Sequence, residues 1–212
     1  MKVKARRRLT PAASQAAPRR VTVARQTRET DIEVSLDLDG SGLSQIDTGI
    51  GFFDHMLTAL AAHARFDLRV KCRGDLHIDP HHSVEDVGIV LGDALRQALG
   101  NKQGIVRFGH AYTPLDEALA RAVIDLSGRP YLVFEVTFPA RMIGALPTEL
   151  VEEFFRALVV HGRLCLHLET LRGRNSHHIA EAVFKAVARA LAEAVRLDPR
   201  VAGAVPSTKG SL

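Results

Sequence analysis

An internal repeat constrains the fold of this chain more than any other feature of its sequence. Three blocks occur twice, in the same order. The first copies begin at Glu29, Ala59 and His81, and the second copies begin at Glu117, Ala157 and His177. Because matched blocks in matched order indicate a duplicated unit, we expect two halves that share one fold.

The apolar pattern within each half predicts the fold class. From Asp31 the side chains alternate, with Ile32, Val34 and Leu36 on one face, which is typical of a half-buried strand. Around Met56 the apolar spacing is helical, and it returns to alternation after Phe66. The sequence therefore predicts an α+β protein with two similar halves, each with about four strands in a mixed or antiparallel sheet that two helices cover.

Domain boundaries follow from the repeat and from the charge pattern, and the short connection between the copies predicts one compact unit. The predicted segments are a flexible basic extension at 1–20, a first half at 21–110, a second half at 111–205 and a C-terminal loop at 206–212.

Composition excludes several classes of protein. The net charge of +4 is concentrated in residues 1–20, which hold seven cations and no acid, so we expect no nucleic-acid partner. No apolar run has the roughly 20 residues needed to cross a bilayer, and the start lacks a secretory apolar core, so we expect a cytoplasmic protein without a membrane partner. Cys72 and Cys165 are predicted to be packing residues.

Each half contains a His-His-x-x-Glu element at the start of a predicted helix. Residues i and i+4 share a helix face, so His81 can bind one ion with Glu85, and His177 can bind another with Glu181. The second histidine of each pair lies about 100° around the helix. We therefore expect His178 to join the first ion and His82 the second.

A histidine pair at a helix start is commonly a capping or solvated feature, but its repetition favours a ligand set. Imidazole and carboxylate donors without thiolate suit Mn²⁺, Fe²⁺, Co²⁺, Ni²⁺ or Zn²⁺, and exchangeable positions favour Mn²⁺. Three protein ligands for each ion leave room for substrate, as in catalytic sites.

Four motifs resemble those of the imidazoleglycerol-phosphate dehydratase family, and the resemblance extends over 21–210. They are FFDHML from Phe52, DPHHSVED from Asp79, HHIAEAVFKA from His177 and PSTKG from Pro206. The resemblance implies dehydration of imidazole glycerol phosphate to imidazole-acetol phosphate in histidine biosynthesis, with two divalent ions per active site binding the substrate ring as imidazolate. It also implies a homo-oligomer of 24 subunits, built from trimers with sites between subunits.

The resemblance further implies roles for single residues. His55 is the expected fourth ligand of the ion that His82, His177 and Glu181 bind. The internal repeat puts Glu153 at the matching place for the other ion, where many family members carry histidine. Glu29 matches a substrate-contacting position of the family and is our first candidate for the proton transfers, and the metal ligand Glu181 is a weaker second.

A phosphorylated imidazole substrate needs a site for its anion, and the family pattern assigns several residues to substrate binding. Besides Glu29, these are His63, Arg107, Arg129, Lys185, Ser207 and Lys209. Arginine and lysine suit phosphate oxygens. For His161, the repeat counterpart of His63, a helix-face residue without function stays an equal alternative.

Two other functions stay open at the level of sequence. A di-metal phosphoester hydrolase needs ions roughly 3.5–4 Å apart and a shared ligand, for which the chain offers no evident bridging aspartate. A metal-storage protein would need neither the phosphate-binding residues nor Glu29.

Overall fold

The computed structural model describes residues 18–201 and 203–212, so residues 1–17 of the predicted basic extension lie outside the described residues. The first half contains β1 (Arg20–Gln26), β2 (Thr30–Asp37), β3 (Ser44–Asp47), α1 (Gly51–Ala64), β4 (Asp67–Gly74) and α2 (His81–Leu99). The second half contains β5 (Phe108–Leu115), β6 (Ala118–Asp125), β7 (Tyr131–Glu135), β8 (Met142–Ile143), β9 (Leu146–Pro147), α3 (Leu150–Gly162), β10 (Cys165–Arg172) and α4 (Ser176–Val195).

The two halves have the same topology, which confirms the predicted duplicated α+β fold. Each contains a four-stranded sheet, in the orders β1-β2-β4-β3 and β5-β6-β10-β7. In each sheet the first three strands are antiparallel neighbours and the last strand is parallel to the third, so both sheets are mixed. The small β8–β9 hairpin has no counterpart in the first half and was not predicted.

The start of the second sheet differs from the domain bounds drawn on the sequence. β5 begins at Phe108 and pairs along its length with β6, so the predicted division between residues 110 and 111 falls inside this strand. The matched residues in the sequence began only at Glu117, whereas the structural repeat extends back over β1 and β5.

Both halves turn from helix to strand in the same way. Arg65 after α1 and Arg163 after α3 have left-handed backbone conformations, with φ of 59° and 49°. This conformation is the usual end of a helix, although glycine more often adopts it. In both halves the chain then enters the third strand of the sheet within four residues.

The helices pair across the halves. α2 packs on α3, and α1 packs on α4. Four phenylalanines from α1, α3 and α4 form a buried cluster between the halves: Phe53, Phe154, Phe155 and Phe184. Edge and stacked contacts of aromatic rings add to the free energy gained from burying them. One continuous apolar core therefore joins the two repeats.

Candidate functional site

A cluster of three possible metal ligands lies where α1 meets α4. Nε2 of His55 and Nε2 of His177 each lie 3.2 Å from Oε2 of Glu181. These donor atoms lie within 4.8 Å of one another, and across residues 18–201 and 203–212 this is the one group of three histidine, cysteine or acidic side chains that meets this distance. The donors come from both halves of the repeat.

Local structure explains why the α4 ligands converge. Asn175 caps this helix, and its side chain accepts hydrogen bonds from the backbone N–H groups of His177 and His178. The cap fixes the first turn, so His177 and Glu181 lie on one face at the i, i+4 spacing. The Phe52 ring contacts the His177 ring edge-on, with 5.0 Å between centroids.

Glu181 lies in a strongly basic environment. Its side chain is 14% exposed, and Nζ of Lys185 lies 2.6 Å from Oε1. Burial alone would raise the pKa of Glu181, but hydrogen bonds from Lys185 and His55 outweigh burial and lower the pKa to about 2. The pKa of His63, on α1, is lowered by burial and by the nearby charges of Lys185 and Arg189. The carboxylate is thus ionised and both of its oxygens have partners.

The predicted ligands of the other ion are less closely gathered. Nε2 of His81 lies 3.7 Å from Oε2 of Glu85 on α2. Glu153 lies on α3, which packs against α2, but its carboxylate lies 3.6 Å from Nε of Arg156. The three side chains do not form a group as tight as that of His55.

The second histidine of each pair faces a carboxylate of its own chain. Nδ1 of His82 lies 3.0 Å from Oδ2 of Asp75, and Nδ1 of His178 lies 2.7 Å from Oε2 of Glu117. Neither histidine belongs to the three-residue group around Glu181. The predicted exchange of His82 and His178 between two ions is therefore not formed within a single chain.

In both contacts the carboxylate raises the pKa of the histidine. The hydrogen bond from His178 lowers the pKa of Glu117 to about 2, with help from the backbone N–H of Asn175. The pKa of His178 is raised, mainly by Glu117, and the pKa of His82 is raised, mainly by Asp75. The sequence did not single out Asp75 or Glu117 as part of the site.

Glu29 lies in the turn between β1 and β2, on the other side of His82. Its carboxylate lies 3.9 Å from Nε2 of His82, and its side chain is 53% exposed. The backbone N–H of Glu29 donates to Oγ1 of Thr27, which orders the turn. The predicted acid-base residue thus lies beside a predicted metal ligand and is open to a substrate.

A second basic region gathers around the C-terminal loop. The Arg107 guanidinium donates to both carboxylate oxygens of Asp125 and to the carbonyl oxygen of Pro206. At the other end of the loop, Leu212 lies against Gly128, which directly precedes Arg129. The loop that carries Ser207 and Lys209 is thereby anchored at Arg107 and next to Arg129. Lys185 and His63 belong instead to the region around Glu181.

A buried lysine, Lys102, contacts the turn before Gly128. Lys102 is almost fully buried, and its Nζ donates to the carbonyl oxygen of Leu126 at 2.9 Å. The pKa of Lys102 is lowered, chiefly by burial. No sequence pattern indicated this residue, because an isolated lysine next to Asn101 in a loop is usually solvated.

A basic cavity of about 590 Å³ lies near the C-terminal ends of α1 and α4. Its lining includes His63, Arg65, Arg189 and Arg196.

Among the described residues, we find no helix with the length and apolar character that a membrane crossing requires.

Comparisons with known proteins match one enzyme family. The sequence model of the family described as imidazoleglycerol-phosphate dehydratase matches residues 48–191. The imidazoleglycerol-phosphate dehydratase of Gluconobacter oxydans is 63% identical over 92% of this chain and 98% of its own length.

Two solved structures of the same description have a similar fold. The enzyme of Staphylococcus aureus has a TM-score of 0.76 and 42% sequence identity, covering 84% of this chain and 98% of that one. The enzyme of Pyrococcus furiosus, solved in complex with (S)-C348, has a TM-score of 0.77 and 37% identity, covering 90% of this chain and 100% of that one.

Proposed function

Because this chain belongs to the imidazoleglycerol-phosphate dehydratase family and is a hydro-lyase of histidine biosynthesis, we propose that it converts imidazole glycerol phosphate to imidazole-acetol phosphate with the help of bound metal. The observation that carries the proposal is the convergence of His55, His177 and Glu181 at one point between α1 and α4. We assign the reaction to the cytoplasm, where amino-acid biosynthesis takes place, with no nucleic-acid or membrane partner.

The donor chemistry fits a divalent metal ion. Two imidazole nitrogens and one carboxylate oxygen suit a first-row transition metal, and three donors leave positions open for further ligands. We propose two ions per active site, with Mn²⁺ as the metal. The second would be held by His81 and Glu85, with Glu153 and a histidine from another copy of the chain. When bound, the ions would act as Lewis acids that favour the imidazolate form of the substrate ring.

Glu29 is the residue that we propose for proton transfer. It is exposed, and among the described residues its one ion-pair contact is the 3.9 Å contact with His82. Glu181 is a poorer candidate, because Lys185 occupies one of its carboxylate oxygens and two histidines share the other. A positioned general acid or base contributes typically 10²–10⁴-fold to the rate.

The basic region around the C-terminal loop is proposed to bind the substrate phosphate. Arg129 and Lys209 are exposed, and the backbone N–H of Lys209 donates to Oγ of Ser207 in a tight turn. Arg107 would orient this loop through Pro206 as well as supply positive charge. On the α4 side, Lys185 and His63 would add cationic and hydrogen-bonding groups near the ring.

We also propose that the active site is completed between subunits of a homo-oligomer, the family's 24-subunit particle built from trimers. The support is that His82 and His178 lie outside the in-chain cluster and end at the surface, half-exposed. A neighbouring copy can bring each of these rings to a cluster that lacks it.

The direct test is an assay of imidazole-acetol phosphate formation by protein that has been stripped of metal and then loaded with Mn²⁺. Turnover that depends on the added metal, and that is lost in the His55→Ala variant, is the expected result. Tight binding of Mn²⁺ without any turnover would instead indicate metal storage, and phosphate release from the substrate would indicate a phosphoester hydrolase.

A further inference from the structure

His82 and His178 share an arrangement that the metal-ligand pattern does not require. Each ring directs Nδ1 to a carboxylate, at 3.0 Å for Asp75 and at 2.7 Å for Glu117. These carboxylates are only 12% and 26% exposed. On the opposite edge of each ring, the nearest carboxylate oxygen in residues 18–201 and 203–212 lies 3.9 Å from Nε2. In both rings Nδ1 is therefore in hydrogen-bond contact with a carboxylate, and Nε2 is available to bind a metal ion.

The two carboxylates occupy positions that are not related by the repeat. Asp75 directly follows β4, and its counterpart after β10 is Gly173. Glu117 lies in the turn between β5 and β6, and its counterpart is Glu29, which faces the other nitrogen of His82. Since duplication alone would have placed the same residue in both copies, the same hydrogen bond has been built twice from different parts of the chain.

Both carboxylates are themselves held in place. One oxygen of Glu117 accepts hydrogen bonds from the backbone N–H groups of Arg174 and Asn175, at the entrance to α4. Asp75 is fixed through its backbone, because its N–H donates to the carbonyl oxygen of Glu29 and its carbonyl oxygen accepts from Ile78. Held carboxylates of this kind can fix the orientation of a ring.

We infer that Asp75 and Glu117 are positioning residues, which hold the Nδ1–H groups of His82 and His178 so that each Nε2 lone pair is presented to a metal ion in the active site proposed above. A neutral imidazole has one donor nitrogen and one acceptor nitrogen, and a partner on the donor decides which nitrogen can bind metal. Removal of such a carboxylate typically weakens metal binding 10–100-fold.

The chain contains a matched control for this arrangement. Nδ1 of His161 lies 3.3 Å from Oδ2 of Asp93, so it has the same kind of contact. This pair lies on the later turns of α2 and α3, and neither residue is among the predicted ligands. Replacing Asp93 therefore removes a carboxylate-histidine contact without touching the metal site.

The test is a titration with Mn²⁺, in which the electron paramagnetic resonance signal of the free ion reports binding independently of activity. Asp75→Ala is expected to weaken one of the two equivalents per chain about 10–100-fold, namely the ion that His82 joins. Glu117→Ala should weaken the other equivalent to a similar extent. Asp93→Ala should bind both equivalents as the wild type does, and Asp75→Asn, which keeps an oxygen acceptor, should lose less than Asp75→Ala.

A double-mutant cycle separates positioning from general destabilisation. If Asp75 acts through His82, then adding Asp75→Ala to His82→Ala weakens Mn²⁺ binding no further. Losses that add in the double variant, or wild-type affinity in both single carboxylate variants, would overturn the inference. If Asp75→Ala does not fold, the same cycle is run with Asp75→Asn, with the same two outcomes.

If the proposed function is wrong, the experiment gives a different result from the one that contradicts only the positioning role. Wild-type protein that binds no Mn²⁺, or that binds it and does not turn over the substrate, contradicts the proposed function whatever the variants do. Wild-type protein that binds two equivalents and is active, beside carboxylate variants with unchanged affinity, contradicts only the role of Asp75 and Glu117.

Discussion

A close contact between α2 and α3 is expected to affect binding of the proposed second metal ion. Gly88 on α2 lies directly against α3, so a Cβ added there would lie 2.7 Å from the carbonyl oxygen of Phe154 and 2.9 Å from Cβ of Ala157. Real Cβ contacts essentially never fall below 3.0 Å, so in Gly88→Ala the helices must separate by about 0.3 Å or more. Backbone atoms cannot turn aside as a flexible side chain does.

The size of the effect follows from two opposing contributions to the free energy of unfolding. Overpacking a buried contact costs about 1–3 kcal/mol, whereas replacing glycine by alanine inside a helix contributes about 1 kcal/mol in favour of the fold. The net loss in Gly88→Ala is therefore about 0–2 kcal/mol. Gly51→Ala is the matched control, because a Cβ at this helical position would have no neighbour within 4 Å.

Separating α2 from α3 should weaken metal binding only at the proposed site of His81, Glu85 and Glu153. Glu85 lies three residues before Gly88 on α2, and Glu153 directly precedes Phe154 on α3. Moving the helices apart draws these carboxylates away from each other and leaves the α1–α4 cluster in place. Mn²⁺ titration and urea unfolding of the metal-free protein measure the two effects. A Gly88→Ala protein that is as stable as Gly51→Ala and binds both ions normally would refute this reasoning.

Three further predictions concern the chemistry and the assembly. Glu29→Gln should bind both ions but lose roughly 10²-fold or more in turnover, and near-normal turnover with two ions bound would reject its acid-base role. Glu153→Gln should lower occupancy of the ion at His81 and Glu85 and leave the other in place; two full equivalents by elemental analysis would remove Glu153 from the ligand set. Chelation should dissociate the proposed oligomer on sizing chromatography, and a persistent active monomer would exclude sites shared between subunits.

Much of the fold could be predicted because the repeat and the apolar periodicity report on the same structure. The alternation of Ile32, Val34 and Leu36 corresponds to the buried face of β2, and the helical spacing around Met56 corresponds to the buried face of α1. The β8–β9 hairpin was missed because its strands have two residues each, too few to show a period, and because the first half has no copy to compare.

The proposed ligand set was predictable only where its members share a helix or a motif. His177 and Glu181 follow from spacing on one helix, and His55 followed from the resemblance of its motif to the family. Asp75 and Glu117 reach their histidines through the tertiary fold and from positions that the repeat does not relate. No local pattern connects them, so the sequence could not predict the contacts.

Because the helices pair across the halves, the proposed metal ligands come from both repeats. His55 is on α1 of the first half, but its partners are on α4 of the second. In the same way α2, with His81 and Glu85, packs on α3 of the second half, which carries Glu153. Each half thus contributes one helix to each proposed ligand set, so a substitution at a single position, such as Glu153, would change one set and leave the other. The exchange of His82 and His178 proposed between copies of the chain applies the same principle once more, now between subunits instead of between halves.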